Sequence, residues 1–167
     1  MTASATTVDG RLAERLDKDE ISELIDRYLV TLDTAELSDR DLAWYRRIFT
    51  DDVRLVFPIG ERVGTEGLAE FQRTARLAWQ ATHHVSANHV VDVAGDRATA
   101  RVQLIGTHLD YDTTASGVEH AHRMDMGGYY DVTAVRTDRG WRVDYLRFVV
   151  VWLSGGGKPN ANYSTAL

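Results

Sequence analysis

Apolar residues recur at helical spacing through Leu12, Leu16, Ile21, Leu24, Ile25, Tyr28, Leu29 and Leu32. This rhythm predicts one amphipathic helix, or two joined near Asp17, ending near Asp33. The stretch SDRDLAWYRRIF (38–49) predicts a second helix, with Ser38 or Asp39 as its cap and Asp41 three residues beyond Ser38. The period then changes. DVRLVFPI reads as a strand stopped by Pro58 and Gly60, and TEGLAEFQRTARLAW as a third helix with Thr65 near its cap.

From residue 82 onward strand follows strand: HHVSANHVVDV, RATARVQLIGTHLDY after the turn AGD, GGYYDVTAVR, and GWRVDYLRFVVVWL after TDRG. Helices first and a sheet later predict an α+β fold, with N-terminal helices packed on one face of a curved antiparallel sheet. DTTASGVEHAHRMDM, between Asp112 and Met126, reads as a loop leading into a strand. Residues 1–10 carry no periodic pattern and read as a disordered leader, and 11–153 as one domain. The Gly/Asn-rich stretch 154–167 reads as a flexible tail or a cover for a pocket.

A chain of 167 residues buries a proper core without cross-links. With no cysteine, thiolate nucleophiles and cysteine-based zinc sites are excluded. A net charge of -6 without a basic block argues against nucleic acid as a partner. The N-terminal residues lack a signal-peptide pattern, and no apolar run approaches the ~20 residues of a membrane helix. The expectation is a cytoplasmic protein that engages neither membranes nor nucleic acid.

Three of the six histidines fall in ATHHVSANH. Strand alternation puts His83 and His89 on one face and His84, Ser86 and Asn88 on the other. His83 and His89 would lie roughly 20 Å apart at about 3.3 Å per residue, too far to share a metal ion. In the next strand His108 ends the apolar face made by Ala98, Ala100, Val102, Leu104 and Gly106. Asp33 follows Leu32 at a helix C-terminus, where a carboxylate meets the unfavourable end of the dipole and needs a partner. An Asp and two imidazoles converging on an apolar cavity could divide acid–base work, one imidazole moving the proton and the carboxylate orienting it. The same residues also read as hydrogen-bonded structural groups. In HAHRMD, His120 and His122 offer a rival pair that could chelate a metal with Asp110 or Asp112 if the segment is a strand. No GxSxG, P-loop or GxGxxG stands between suitable elements. The aromatic residues Trp44, Tyr45, Trp79, Tyr129, Tyr130 and Trp152 read mostly as core, some of them as the lining of a pocket for an aromatic ligand.

TLDTAEL, WYRRIFTDDVRLVFP, the THH strand start and GYYDVTAVRTDRGWRVDYLRF together resemble the SnoaL-like branch of the NTF2-like superfamily, with the scytalone dehydratases as enzymatic relatives. The resemblance spans roughly residues 15 to 153. It implies a cone-shaped α+β fold with a deep pocket, assembly into a homo-oligomer (dimer or trimer), and no cofactor or metal. It also implies catalytic roles for Asp33 in TLDT, His84 in THHV and His108 in GTHLDY. The departures are as informative. The dehydratase tyrosines that help bind substrate correspond to Leu32 and Phe57, and its serine and asparagine to Arg123 and Asp125.

The expected protein is therefore a cofactor-independent acid–base enzyme, first a dehydratase of a small oxygenated polyketide- or terpenoid-like substrate. Candidate substrate-binding residues are Tyr28, Tyr45, Phe57, Asn88, Asp125, Tyr129 and Trp152. A cyclase or isomerase using the same groups is the nearest alternative. A non-catalytic carrier of hydrophobic ligands and the small subunit of a ring-hydroxylating dioxygenase are readings of other classes.

Overall fold

The computed structural model describes residues 7–34, 42–114 and 117–155. Helix α1 (Val8–Thr34) is continuous. Thr7 caps it, its Oγ1 accepting from the Gly10 N–H at 3.1 Å. The helix thus starts inside the stretch expected to be a leader. It passes Asp17 unbroken because the sheet occupies that carboxylate, which accepts from Arg136 Nη2 at 2.6 Å and Trp141 Nε1 at 3.0 Å. Ile21, Leu24, Ile25, Tyr28 and Leu29 form its buried stripe. Leu12 and Leu16 share the spacing but remain exposed, so periodicity overstates the buried length.

The second helix is short: α2 spans Leu42–Tyr45, and its expected cap positions Ser38, Asp39 and Asp41 lie outside the described residues. Strands β1 (Phe49–Phe57) and β2 (Gly60–Val63) form a hairpin turned at Pro58 and Ile59. Helix α3 (Leu68–Leu77) is entered from Gly67, at φ 71°, without a side-chain cap. Thr65 is therefore not its cap. It is buried, and its carbonyl accepts from the Leu68 N–H at 3.3 Å.

Four long strands complete the fold: β3 (Ala81–Ala94), β4 (Arg97–Thr114), β5 (Gly117–Thr137) and β6 (Gly140–Gly155). They join one six-stranded sheet in the order β2-β1-β6-β5-β4-β3. Every pairing is antiparallel except β1 with β6, so the expected antiparallel sheet is mixed at one seam. The expected loop after Asp112 is instead part of a hairpin, in which Asp110 pairs with His122 and Asp112 with His120. That stretch has few apolar residues, so alternation does not announce it. The core lies between α1 and the inner sheet face, where Leu55, Val102, Trp141 and Leu146 are almost wholly buried. Among the described residues, no helix is long and apolar enough to cross a membrane.

Candidate active site

The last turn of α1 faces the start of β3, and this juncture builds the site. Asp33 accepts three hydrogen bonds there. His84 donates its backbone N–H to Oδ2 at 2.6 Å, Thr82 its hydroxyl to Oδ1 at 2.8 Å, and His84 Nδ1 lies 2.7 Å from Oδ1. These contacts answer the unfavourable helix end. Burial favours the neutral acid, but the hydrogen bonds and the charge of His84 outweigh it and hold the Asp33 carboxyl below its ordinary pKa. Asp33 is therefore an ionised, acceptor-only partner. His84 Nδ1 must be the donor, so in the neutral imidazole the lone pair lies on Nε2.

His108 reaches the same place from β4. Its ring centroid is 5.2 Å from that of His84, with the planes at 89°, and 5.4 Å from the Trp79 ring. It is 9% exposed, and its Nδ1 is buried without a hydrogen-bond partner among the described residues. Burial, reinforced by the neighbouring His84, lowers its pKa to about 4. His108 is thus a neutral imidazole at physiological pH.

Gly106, between Leu104 and His108 on the inner face of β4, makes room for this pair. It is paired directly with His84, and a Cβ there would lie 3.0 Å from His84 Cδ2.

A cavity of about 1200 Å³ opens above these groups. His84, His108 and Thr82 form its polar end, and Tyr28, Leu32, Phe57, Phe71, Trp79, Met126, Tyr130 and Phe148 supply apolar wall. Tyr28 is tied by its hydroxyl, which accepts from Gln72 Nε2 at 2.6 Å. Gln72 Oε1 in turn accepts from the Tyr45 hydroxyl at 2.9 Å, so Tyr45 stands behind the wall and braces it.

Residues 13–147 match the SnoaL-like domain. The chain belongs to the SnoaL-like family. Among solved structures, the Kfla4162 protein from Kribbella flavida is similar at TM-score 0.71 and 28% identity, covering 84% of this chain and 95% of that one. A candidate scytalone dehydratase from Novosphingobium aromaticivorans DSM 12444 has TM-score 0.68 and 16% identity, covering 90% and 92% of the two chains. A hexachlorocyclohexane dehydrochlorinase, LinA type 2, has TM-score 0.66 and 18% identity, covering 87% and 90%. Comparison with curated proteins gives no match. The helix packed on a curved six-stranded sheet is the NTF2-like architecture.

The SnoaL-like chain brings Asp33, His84 and His108 together, with Tyr28 and Phe57 along the cavity and Trp152 at its edge, its indole on the outer sheet face. Trp152 packs over Gly127, where any Cβ would overlap the indole. Asn88, Asp125 and Tyr129 stand elsewhere. Asp125 accepts from Thr107 and Arg123, and Tyr129 lies beneath the Arg101 guanidinium, 4.2 Å from its ring centroid. Both alternate with the buried Met124, Met126 and Tyr130, which places them on the outer sheet face.

Asn88 is displaced by a bulge in β3. The register shifts between Ala87 and Val90, and Asn88 has φ 51°. The extra residue breaks alternation, so Asn88 is exposed and His89 turns to the inner face beside α1. His89 Nε2 lies 3.3 Å from Asp26 Oδ1, which also accepts from Ser86 at 2.5 Å. The expected pairing of His83 and His89 on one face is thereby corrected, since His83 remains on the exposed side.

Sequence reasoning missed Thr82, Gly106 and Gln72. Thr82 and His84 are two apart on a strand, and Gly106 lies midway between Leu104 and His108, so alternation carried a signal for both. Among the described residues, no three His, Cys, Asp or Glu side chains cluster as metal ligands. His122 is exposed, and the His120 side chain lies outside the described residues.

Proposed function

We propose that this SnoaL-like protein is an acid–base lyase that dehydrates a small, largely apolar hydroxy-carbonyl compound without a cofactor. One observation carries the reading: an ionised Asp33 holds His84 so that its basic Nε2 is free in an apolar cavity, next to a neutral His108. His84 Nε2 takes the proton from the carbon beside the substrate carbonyl. The electron pair moves into an enolate and then expels the hydroxyl on the next carbon. That hydroxyl leaves as water with the proton returned by His84, so atoms and charge balance. His108, uncharged, donates one N–H to the departing oxygen, while Asp33 steadies the transient imidazolium.

The likeness to dehydrochlorinases favours a second reading, in which the leaving group is halide and His84 acts only as a base. Halide needs no protonation to leave, and the depressed His108 pKa suits that division of labour.

The test is turnover of β-hydroxy ketones and β-chloro ketones, followed by enone absorbance, in the unaltered protein and in His84→Ala and Asp33→Asn. Loss of turnover in both variants, with retained fold, supports the reading. Tight binding of these compounds with no turnover would make the protein a carrier and sink the enzymatic proposal.

We further propose self-association through the outer sheet face. Val85, Ile105 and Gly127 pair in one row with Trp152, and Val85, Ile105 and Trp152 are 48%, 54% and 43% exposed. Ile105→Glu should lower the mass measured by light scattering; an unchanged mass would remove this face from consideration.

A further inference from the structure

Tyr130 sits deep on the inner face of β5, paired with Val102 of β4 and Phe148 of β6. It is 3% exposed, lines the cavity, and packs edge-on against Phe148 with centroids 5.3 Å apart. Its hydroxyl makes no hydrogen bond among the described residues, whereas most polar groups around it are taken. Tyr28 and Gln72 bond one another, Thr82 is taken by Asp33, and Arg76 donates to the Trp79 and Gln80 carbonyls. The hydroxyl is not among the enclosed polar atoms left without a partner, so it opens on the cavity, where the oxygen of a bound ligand can meet it.

The electrostatics make this group a donor. Burial, aided by the negative charge of Asp33, raises the phenol pKa, so the hydroxyl keeps its proton. Tyr130 lines the same cavity as His84 and His108.

We infer that Tyr130 is a further catalytic residue, its phenol donating a hydrogen bond to the substrate's carbonyl oxygen. This rests on the acid–base reading above and narrows the substrate to compounds whose acidic C–H adjoins a carbonyl. As His84 takes the proton from carbon, the C–H electron pair becomes the enolate and negative charge gathers on that oxygen. The phenol O–H bond stays intact throughout, and its hydrogen bond strengthens as the charge develops. A preformed donor in an apolar cavity stabilises that charge more than it stabilises the neutral carbonyl, so it accelerates the step.

Tyr130→Phe keeps the ring against Phe148 and removes only the hydroxyl. Turnover of β-hydroxy ketones should fall ~10²-fold in kcat, with unchanged circular dichroism. Binding gives an independent measure: 2-naphthol presents an acidic oxygen, and naphthalene lacks it. The unaltered protein should prefer 2-naphthol by at least tenfold, and Tyr130→Phe should lose that preference while binding naphthalene as before. If the substituted protein does not fold, fluorotyrosine placed at position 130 preserves the shape and should tighten 2-naphthol, because a more acidic phenol is a stronger donor. A retained preference in Tyr130→Phe, no preference in the unaltered protein, or no tightening with fluorotyrosine overturns the inference. Loss of the preference in a protein without turnover keeps Tyr130 as an oxygen-binding group and defeats the lyase reading instead.

Discussion

Nδ1 of His84 and Oδ1 of Asp33 lie 2.7 Å apart, joining the start of β3 to the end of α1. Because the same carboxylate also holds the His84 backbone N–H, ring and backbone are fixed by one residue. That double hold fixes the orientation of the imidazole, which the proposed base needs.

Asp33→Asn should therefore damage catalysis more than folding. The amide can still accept from Thr82 or from the backbone, but its NH2 group presents a donor to Nδ1 and favours the tautomer protonated at Nε2. The base is then blocked. A fall in kcat of ~10²–10⁴-fold is expected, with the circular dichroism spectrum retained. Full activity in this variant would show that His84 needs no carboxylate partner.

His108 predicts a stability change on acidification. Its folded pKa of about 4 lies below the ordinary 6.5, so the unfolded chain takes up the proton first. Its contribution is whole above about pH 6.5 and is lost as pH falls towards 4, where the loss reaches about 3 kcal/mol. Asp33 has a lowered pKa, and so its own contribution is lost below the carboxylate's ordinary 3.8, outside that window. Melting temperature against pH should decline between pH 6.5 and 4, and His108→Phe should flatten the decline. An equally steep profile in the variant would assign the acid sensitivity elsewhere.

The site's main axis was legible because it follows regular periods. Asp33 closes a 3.6-residue apolar stripe and His108 closes a two-residue one, so both faces could be assigned from spacing. What escaped was local. The β3 bulge arises from one residue at positive φ, and Asn88 carries no pattern that distinguishes it from ordinary alternation. The hairpin arms beyond Asp112 and before Met124 escaped for the opposite reason, since pairing along the backbone extends them without an apolar face to mark them. Tyr45 was legible as an aromatic residue near the site, but its separation from the cavity by Gln72 depends on packing between distant segments.

The bulge separates Asn88 from function. Asn88→Gly should fold at least as well as the original, because glycine accepts φ 51° freely. Asn88→Ala should cost about 1 kcal/mol of stability by forcing a Cβ-bearing residue without a polar side chain into the left-handed region. Neither should change KM, because Asn88 is exposed and outside the cavity wall. A raised KM in Asn88→Gly would return the residue to the binding site.

Gly106→Ala tests whether the position of the His84 ring, and not just its presence, sets the rate. The added methyl would stand 3.0 Å from His84 Cδ2, 3.3 Å from Nε2 and 3.4 Å from Met126 Cγ. All three belong to groups already packed against the inner face, so the imidazole must tilt away from β4. Tilting lengthens the bond to Asp33 or turns Nε2 away from the substrate. Overpacking should cost about 1–3 kcal/mol of stability, while a shift of a few tenths of an ångström at the reacting ring should lower kcat roughly several-fold. Thr107→Ala, one residue along β4, removes only the hydrogen bond to Asp125 and should leave kcat near its original value. Comparable losses of kcat in the two variants would mean that β4 contributes general rigidity, and that Gly106 has no particular claim on His84.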